Sequence, residues 1–308
     1  MQKKIFITVA LCLSICTVKA QEIPDSLAQD FRNFLAKNFS MYRTVNLNWE
    51  TKWAHNYTFT QDGNELEKGK RRDLHKISFS TMIPVLKLKK VSLYANVQYR
   101  SYQFDAIEKT HSATSAIFSQ DGYDYFAGGL NGTYYINVFN KPLALSASVI
   151  ADGWDKGFGK VQGLLSAVMI FKHTKTTTFT AGIMGMTLFS SIPIMPVISY
   201  WHRFNNPNLS VDITMPSQFY MKNVPDICYF SEATLNPEIV YEYIINKHFY
   251  LVAHAGASMV MMAGLYSDTR KGIKVRNEEG QTEVEPLVKM KRNMVPFFNL
   301  GVSYSLFK

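Results

Sequence analysis

Few reactive side chains in this sequence are arranged as a catalytic site would require. The 308 residues contain seven histidines, at positions His55, His75, His111, His173, His202, His248 and His254. None sits in a His-x-Ser context, and the sequence has no Gly-x-Ser-x-Gly motif, metal-ligand spacing or phosphate-binding glycine loop. We therefore expect that the protein is not an enzyme and that it needs neither a metal nor another cofactor.

Charged side chains instead recur in phase with apolar ones. In the clearest segment, Val45, Leu47 and Trp49 alternate with Asn46 and Glu50, and a period of two is typical of a strand with one apolar face. In this and later segments the polar face carries Glu50, Lys52, Arg100, Asp152, Asp212, Glu232, Glu238, Glu242 and His254. If these strands close into a small barrel with the polar face inside, the enclosed charges must be paired or hydrated. These charged residues then indicate either a charged pore constriction or a closed interior filled by ion pairs.

About twelve alternating segments follow Tyr42, and connections that are mostly short on one side and longer on the other separate them. The segments alternate over ten or more residues, whereas strands of soluble sandwiches usually have ~5–6. An even strand number, with short turns at one end and longer loops at the other, is typical of outer-membrane barrels. The sequence predicts an all-β, transmembrane, antiparallel up-and-down barrel over residues 41–308. The first strand is expected to run from Val45 through Tyr57, with a polar connection over Gln61–Arg72.

The first twenty residues are read as an export signal. Lys3 and Lys4 precede the apolar run Ile5–Val18, and Val18-Lys19-Ala20 forms a small-residue cleavage site. Cleavage lowers the net charge from +9 to +6 and leaves Cys228 as the mature chain's one cysteine, so no internal disulfide can form. A basic exported surface suits anionic lipid and lipopolysaccharide. Nucleic acid is a poor partner because the charges are not clustered.

Residues 21–40 predict a short helical segment. Leu27, Phe31, Phe34 and Leu35 share one helix face, and Ser26 with Gln29 resembles a capping box, so we expect a helix over about Asp25–Asn38. It lies either beneath the barrel mouth or in the lumen as a plug. Apolar residues on the presumed inward face of three later strands form a wall that could receive this helix. The same wall could bind an apolar solute, or it could contact another protein if these residues face outward instead. Its residues are Leu164, Val168, Ile170, Met184, Met186, Leu188 and Val197.

The last strand, Val295–Lys308, carries a signature of assembly. Phe298, Leu300 and Val302 alternate with small polar residues, and Asn299, Gly301, Tyr304 and Leu306 resemble the terminal signal recognised by barrel-assembly machinery. With the signal peptide and the alternating strands, this makes Tyr42–Lys308 resemble uncharacterised outer-membrane β-barrel proteins of Gram-negative bacteria, grouped only as a domain of unknown function. The resemblance implies an outer-membrane location and a barrel fold, and no functional residue follows from it.

Three functions remain open. The first is a pore or binding channel for a small solute, which the polar lumen and the intermediate barrel size favour. The second is a structural or adhesive barrel with a filled lumen, whose extracellular loops at Gln61–Arg72 and Gly264–Asn293 bind surface ligands. The third is a lipid-active membrane enzyme.

Overall fold

The computed structural model of the protein describes residues 25–39, 42–61, 64–71, 73–104, 122–154, 157–186, 194–224, 228–267, 274–276, 282–284, 288–291 and 293–306. The expected signal peptide lies outside them. The described residues form helix α1 (Asp25–Asn38) and seventeen strands. Their bounds are β1 (Val45–Lys52), β2 (His55–Gln61), β3 (Asn64–Arg71), β4 (Leu74–Lys87), β5 (Val91–Phe104), β6 (Gly122–Val138), β7 (Lys141–Trp154), β8 (Gly157–His173), β9 (Thr177–Met186), β10 (Met195–Arg203), β11 (Leu209–Val224), β12 (Cys228–Ile244), β13 (Phe249–Ser267), β14 (Lys274–Arg276), β15 (Thr282–Val284), β16 (Val288–Met290) and β17 (Met294–Tyr304). Over the described part of the chain, no helix is long and apolar enough to cross a membrane.

Twelve of these strands close into one antiparallel barrel. Strands β4 to β13 pair in chain order, β13 then pairs with β17, and β1 lies between β17 and β4. The closing pair is antiparallel, with Leu47 opposite Val302 and Trp49 opposite Leu300, as an even strand number requires. The structure thus confirms the predicted all-β barrel and its twelve strands.

The outer surface of the barrel is apolar, as the alternation predicts. Leu47 is 51% exposed and its neighbour across the seam, Val302, is 42% exposed, whereas Asn46 and Ser303 on the opposite face are buried. The same outward row continues around the ring in Ile77, Phe79, Ile83, Val97, Phe126, Leu130, Val149, Val161, Leu165, Ile183, Ile198, Ile213, Ile239 and Leu251. An apolar exterior around a polar interior is the reverse of the arrangement in a soluble protein and is typical of a lipid-embedded barrel.

The two ends of the barrel differ. At one end, here called the turn end, short connections join neighbouring strands at residues 88–90, 139–140, 174–176, 204–208 and 245–248. Helix α1 precedes β1 at the same end, where β17 also finishes. The opposite end, here called the loop end, bears the connections 105–121 and 268–293. One connection at the loop end is short, because β7 runs to Trp154 and β8 begins at Gly157.

The hairpin between β6 and β7 turns at Phe139 and Asn140. Phe139 and Asn140 both have positive φ, 52° and 59°, and β7 already begins at Lys141. Two successive residues with positive φ are typical of the hairpin turn whose twist matches that of the flanking strands. Asparagine tolerates this conformation well, whereas phenylalanine rarely adopts it, so Phe139 is the less usual of the two turn residues.

The expected first strand is interrupted, and this prediction was wrong. Strand β1 ends at Lys52, and the residue pairing puts Lys52 directly opposite Leu74 at the start of β4. Between them the chain forms the hairpin of β2 and β3, so most of the segment Gln61–Arg72 is strand rather than loop. At the base of the hairpin the Asp73 carboxylate accepts a hydrogen bond from the Ala54 amide at 2.6 Å. Strand β16 joins β2 to β13, which extends the sheet beyond the ring at the loop end.

Candidate functional site

Helix α1 packs against the inner wall of the barrel at the turn end. Phe31 and Phe34 are buried together with Tyr135 of β6, Ile170 of β8 and Trp201 of β10. These three wall residues lie on the inward face, near the last residues of their strands. The apolar stripe of the helix therefore meets the polar lumen where the wall itself becomes apolar. The side chain of Leu27 lies outside the described residues, and Leu35 is partly buried against the same cluster.

Phe34 is the centre of this contact. Its ring lies 4.9 Å from the Trp201 ring at 83° and 4.7 Å from the His173 ring at 75°, and both are the edge-to-face arrangement that aromatic pairs prefer. Trp201 is only 2% exposed. Phe31 contacts the same His173 ring from 5.6 Å. Aromatic pairs of this kind add about 0.5–1.5 kcal/mol beyond the burial of their area.

Arg43 fixes the other side of the helix to the barrel. Its guanidinium donates to the Lys37 carbonyl of α1 at 2.6 Å, to a Glu242 carboxylate oxygen of β12 at 2.6 Å and to the Ser303 hydroxyl of β17 at 2.7 Å. It also lies over the Tyr250 ring of β13 at 3.9 Å. The Arg43 side chain is 0% exposed. A cation at a helix C-terminus is favoured by the helix dipole, so one side chain closes the helix and anchors it to three strands.

A second arginine holds the last residue of the helix. Arg203 of β10 donates to the Asn38 side-chain oxygen and lies over the Trp201 ring at 5.1 Å. Asn38 in turn donates to the Phe34 carbonyl at 2.9 Å, which caps the final turn. With Arg43, these contacts link α1 and the turn after it to β6, β8, β10, β12, β13 and β17.

The ionisable residues predicted for the lumen form two groups on different strands. Near the turn end, His254 Nδ1 lies 3.0 Å from Glu238 Oε1, and the carboxylates of Asp212 and Glu242 are also within electrostatic reach of His254. Asp212 accepts a hydrogen bond from Thr214 at 2.9 Å, and Glu242 accepts from Arg43. This group, here called the turn-end cluster, therefore combines three carboxylates with a histidine and the arginines Arg43 and Arg203.

The second group lies towards the loop end and is here called the cationic cluster. Lys76 of β4 donates to Glu50 Oε2 at 2.7 Å, and Lys52 Nζ lies 4.0 Å from Glu50 Oε1 and donates to Ser258 at 3.2 Å. Arg100 of β5 also acts electrostatically on Glu50. Three cations thus surround one carboxylate. Asp152, two strands further, accepts a hydrogen bond from Gln162 at 2.8 Å, and the Glu232 side chain lies outside the described residues.

The predicted apolar wall runs along strands β8 to β10. Leu164 lies opposite Ser148, and Val168 opposite Gly182, in the inward rows of their strands; Met184 and Val197 belong to the same face. Ile170 is covered by α1, whereas Leu164, Val168, Met184 and Val197 are only half-buried. The wall is therefore covered at the turn end and accessible above it. Met186 aligns with Leu164, and Leu188 lies outside the described residues.

Sequence reasoning missed Arg43, Lys76 and Trp201. Lys76 was detectable, because it shares the inward parity of Ser78 on β4. Trp201 also has inward parity, but the strand pattern alone gives an aromatic residue no partner. Arg43 lies in the turn before β1, where no periodicity exists to orient a side chain. Its role depends on residues roughly two hundred and more positions away in sequence.

The residues resembling an assembly signal have local contacts of their own. A Cβ atom at Gly301 would collide with the Asn48 side chain across the closing seam, so any larger residue there would force Asn48 to move. The Tyr304 ring lies 4.8 Å from the Phe249 ring, and the Leu306 amide donates to Thr44 at 3.0 Å. Asn299 lies opposite Glu50 and His254. Their recognition by assembly machinery remains a prediction.

Among the described residues, no group of three or more His, Cys, Asp or Glu side chains is placed to hold a metal ion. No protein-family model matches the chain, and no curated protein matches its sequence.

Solved structures with a similar fold are outer-membrane proteins. An outer-membrane channel of Pseudomonas putida F1 is 9% identical, with a TM-score of 0.43 over 85% of this chain and 96% of that one. A FadL homologue of Pseudomonas aeruginosa is 9% identical, with a TM-score of 0.35 over 89% and 94%. The outer-membrane protease OmpT of Escherichia coli is 9% identical, with a TM-score of 0.28 over 85% and 97%. Likenesses this distant carry no functional argument; the closed sheet and its apolar exterior give the chain the fold of an outer-membrane β-barrel.

Proposed function

We propose that the protein is an outer-membrane channel for a small solute, and that helix α1 closes it from the periplasmic side. Short turns face the periplasm in outer-membrane barrels, and the proposal therefore assigns the turn end and α1 to that side. The observation that carries the proposal is the seating of α1 inside the ring. Phe31 and Phe34 bury themselves on the lumen wall, and Arg43 and Arg203 bind the last turn of the helix.

The lumen above the helix supports passage rather than complete filling. A barrel of about eight strands is just filled by its side chains, whereas sixteen leave an aqueous channel. With twelve strands, inward residues such as Leu164, Met184 and Val197 remain half-buried rather than packed out. Solute that enters at the loop end would therefore reach the helix, and the helix would then determine whether it passes.

Single-channel recording in planar bilayers tests the plug. Deletion of Ser26–Asn38 should raise the conductance several-fold over that of the intact mature chain, because it removes the group that spans the lumen at the turn end. The point variant Phe34→Asp should act in the same direction, since a carboxylate beside the Trp201 ring would carry an uncompensated buried charge.

The matched control is Asn33→Asp, which places the same carboxylate on an exposed position of the same helix. It should leave the conductance unchanged. An unchanged conductance in the deletion variant, with the barrel shown to be folded, would rule out the plug. Liposome swelling with sugars, amino acids and small anions would then identify the permeant class.

A structural barrel with a closed lumen is the second candidate, and the ion pairs favour it. Arg43 with Glu242 and Lys76 with Glu50 are paired at 2.6 and 2.7 Å, as expected of charges that stiffen an interior. The same recordings separate the two candidates. A structural barrel would show no solute passage even after removal of the helix.

A further inference from the structure

The short connections at the turn end form a basic surface. Together with the strand residues that border them, the five connections span residues 87–91, 138–141, 171–177, 203–209 and 244–249. Every one of these segments contains a lysine or an arginine, and none contains an aspartate or a glutamate. The five segments surround the barrel at this end and are here called the basic rim.

The positive excess belongs to this rim and not to the chain at large. The basic rim holds seven lysines and one arginine, whereas the ring strands between the two ends hold seven acidic and five basic residues. Residues 21–44 and 305–308 add three acidic and four basic ones. At the loop end the two signs nearly cancel, with fourteen acidic and thirteen basic residues in the connections 53–73, 105–121, 155–156, 187–193, 225–227 and 268–293. The eight positive charges of the rim therefore exceed the net charge of the whole mature chain.

Each segment of the basic rim also exposes a large apolar side chain. Phe139, in the turn between β6 and β7, is 87% exposed. The other four segments present Leu88, Phe171, Phe204 and Ile245, which are all exposed. Water gives such side chains no favourable contact, whereas at the boundary of a bilayer they reach acyl chains while neighbouring cations stay among the headgroups. A cation combined with an exposed apolar side chain at every turn therefore indicates contact with lipid headgroups.

The lysines lie where the apolar outer rows of the strands end. Lys172 lies opposite Phe179, in the outward row that continues to the exposed Ile183. Lys141 is exposed at the first position of β7 and donates to the Phe171 carbonyl of the next hairpin at 3.2 Å. An ammonium group has three donors, so this hydrogen bond holds the Lys141 side chain at the rim and leaves two N–H groups for an anion.

We propose that the basic rim binds the anionic headgroups of phospholipids of the phosphatidylglycerol class, in the leaflet that surrounds the turn end. Lysine ammonium groups pair with the phosphate oxygens, and the exposed apolar side chains enter the boundary with the acyl chains. A phospholipid offers both contacts in one molecule, whereas peptidoglycan, a hydrophilic anionic polymer, offers only the first.

The orientation of the barrel determines which leaflet this is. With the turn end facing the periplasm, the partner of the basic surface is the phospholipid of the inner leaflet, because lipopolysaccharide lies in the outer one. This choice of leaflet rests on the proposed function through its orientation. The preference of the rim for an anionic phospholipid does not.

Native mass spectrometry on the full mature chain tests the preference. The protein is reconstituted into vesicles of equal amounts of dioleoyl phosphatidylglycerol and dioleoyl phosphatidylcholine, released into a neutral detergent, and the retained lipid molecules of each kind are counted. The parent should retain phosphatidylglycerol at least about fivefold over phosphatidylcholine. The triple variant Lys141→Gln, Lys172→Gln, Lys175→Gln should lower this ratio about twofold or more, since each lysine near an anionic surface adds to the attraction.

The matched control removes three exposed lysines from the loop end instead: Lys68→Gln, Lys70→Gln, Lys291→Gln. It changes the net charge by the same amount and should keep the ratio of the parent. Resistance to SDS at room temperature shows that each variant is folded. If the turn-end triple variant does not fold, the double variant Lys89→Gln, Lys247→Gln takes its place and should lower the ratio in the same direction.

Two further measurements identify the anionic partner. Vesicles in which lipopolysaccharide replaces phosphatidylglycerol, and sedimentation with purified peptidoglycan, should show no binding that the turn-end lysines strengthen. The proposal is overturned if the parent shows no preference for phosphatidylglycerol, or if the loop-end variant loses as much of it as the turn-end variant. It is equally overturned if the turn-end lysines bind lipopolysaccharide or peptidoglycan in place of the phospholipid.

These outcomes are independent of the plug, because the basic rim lies outside the lumen. A lysine-dependent lipid preference with an unchanged conductance after deletion of Ser26–Asn38 would keep the basic rim and reject the gated channel. A conductance gain without any lipid preference would keep the channel and reject the lipid contact.

Discussion

At the scale of single residues, Arg43 joins helix α1 to three strands of the ring. It is fully buried, and its ion pair with Glu242 is shielded from water on both sides. A buried pair of this kind adds little net stability over an apolar substitute, but loss of one partner leaves the other charge unpaired. Removal of Arg43 is therefore costly mainly because it would leave the Glu242 carboxylate buried without its partner.

Substitution of Arg43 by methionine should lower the free energy of unfolding by about 3–5 kcal/mol, the usual cost of breaking a buried pair. Urea unfolding of the barrel in phospholipid vesicles, followed by tryptophan fluorescence, measures the change. The double variant Arg43→Met with Glu242→Leu should lose clearly less, because no carboxylate stays buried without a partner. A double variant as unstable as the single one would show that the Glu242 charge is not the cause.

Residue-level prediction from the sequence depends on periodicity. The two-residue alternation assigns Glu50, Arg100, Asp212 and His254 to the inward side of their strands. It could not reveal that Lys76 rather than Lys52 lies closest to Glu50, because neighbours across strands depend on register. Arg43 was out of reach altogether, since it lies outside any strand.

At the scale of elements, the break after β1 separates the barrel from its extension. Lys52 already faces Leu74 across the ring, so β1 and β4 are direct neighbours without the intervening hairpin. The sequence could not show this break, because Trp53 and Tyr57 continue the same apolar alternation as Leu47 and Trp49. Only the pairing of β2 with β16 distinguishes the two segments.

Replacement of residues Trp53–Asp73 by an Asn-Gly turn should therefore leave the barrel folded, since that pair is suited to two-residue hairpins. Resistance to SDS at room temperature, lost on boiling, is the measurement. Deletion of Gly122–Val138, which removes the ring strand β6, is the control and should abolish this resistance. Loss of the folded form on hairpin replacement would mean that β2 and β3 are needed for closure.

Helix α1 shows where amphipathic patterning is informative and where it stops. Leu27, Phe31, Phe34 and Leu35 predicted a helix over Asp25–Asn38, and the structure has a helix with these bounds. Whether the helix lies beneath the barrel mouth or inside the lumen depends on the part of the lumen wall against which it packs. Tyr135, Ile170 and Trp201 come from three separate strands, and no local pattern brings them together.

At the scale of the whole molecule, the apolar exterior determines the environment of the barrel. Leu165 is 61% exposed and stands at the middle of β8, whereas its neighbour Leu164 points into the lumen. The sequence predicted the closed fold well, since twelve alternating segments with one greasy face have few other solutions. The sequence did not decide whether the lumen is open or filled, because this depends on how far side chains from opposite walls reach.

Leu165→Arg should cost about 2–4 kcal/mol of folding stability in lipid vesicles, the range for an arginine near the bilayer midplane. Leu164→Arg is the matched control, and it should cost less because its charge enters a hydrated lumen. Equilibrium unfolding in urea compares the two. Equal losses would contradict the assigned inner and outer faces of β8.

The position in the chain of the residues that bind Arg43 has a consequence for the order in which the protein assembles. Glu242, Tyr250 and Ser303 belong to β12, β13 and β17, the last three ring strands to be synthesised, whereas α1 leaves the ribosome first. The helix therefore has no complete docking place until the final strand has met β1. A chain cut short before β17 would lack the Ser303 hydroxyl that Arg43 binds, so we expect α1 to be held less firmly in it.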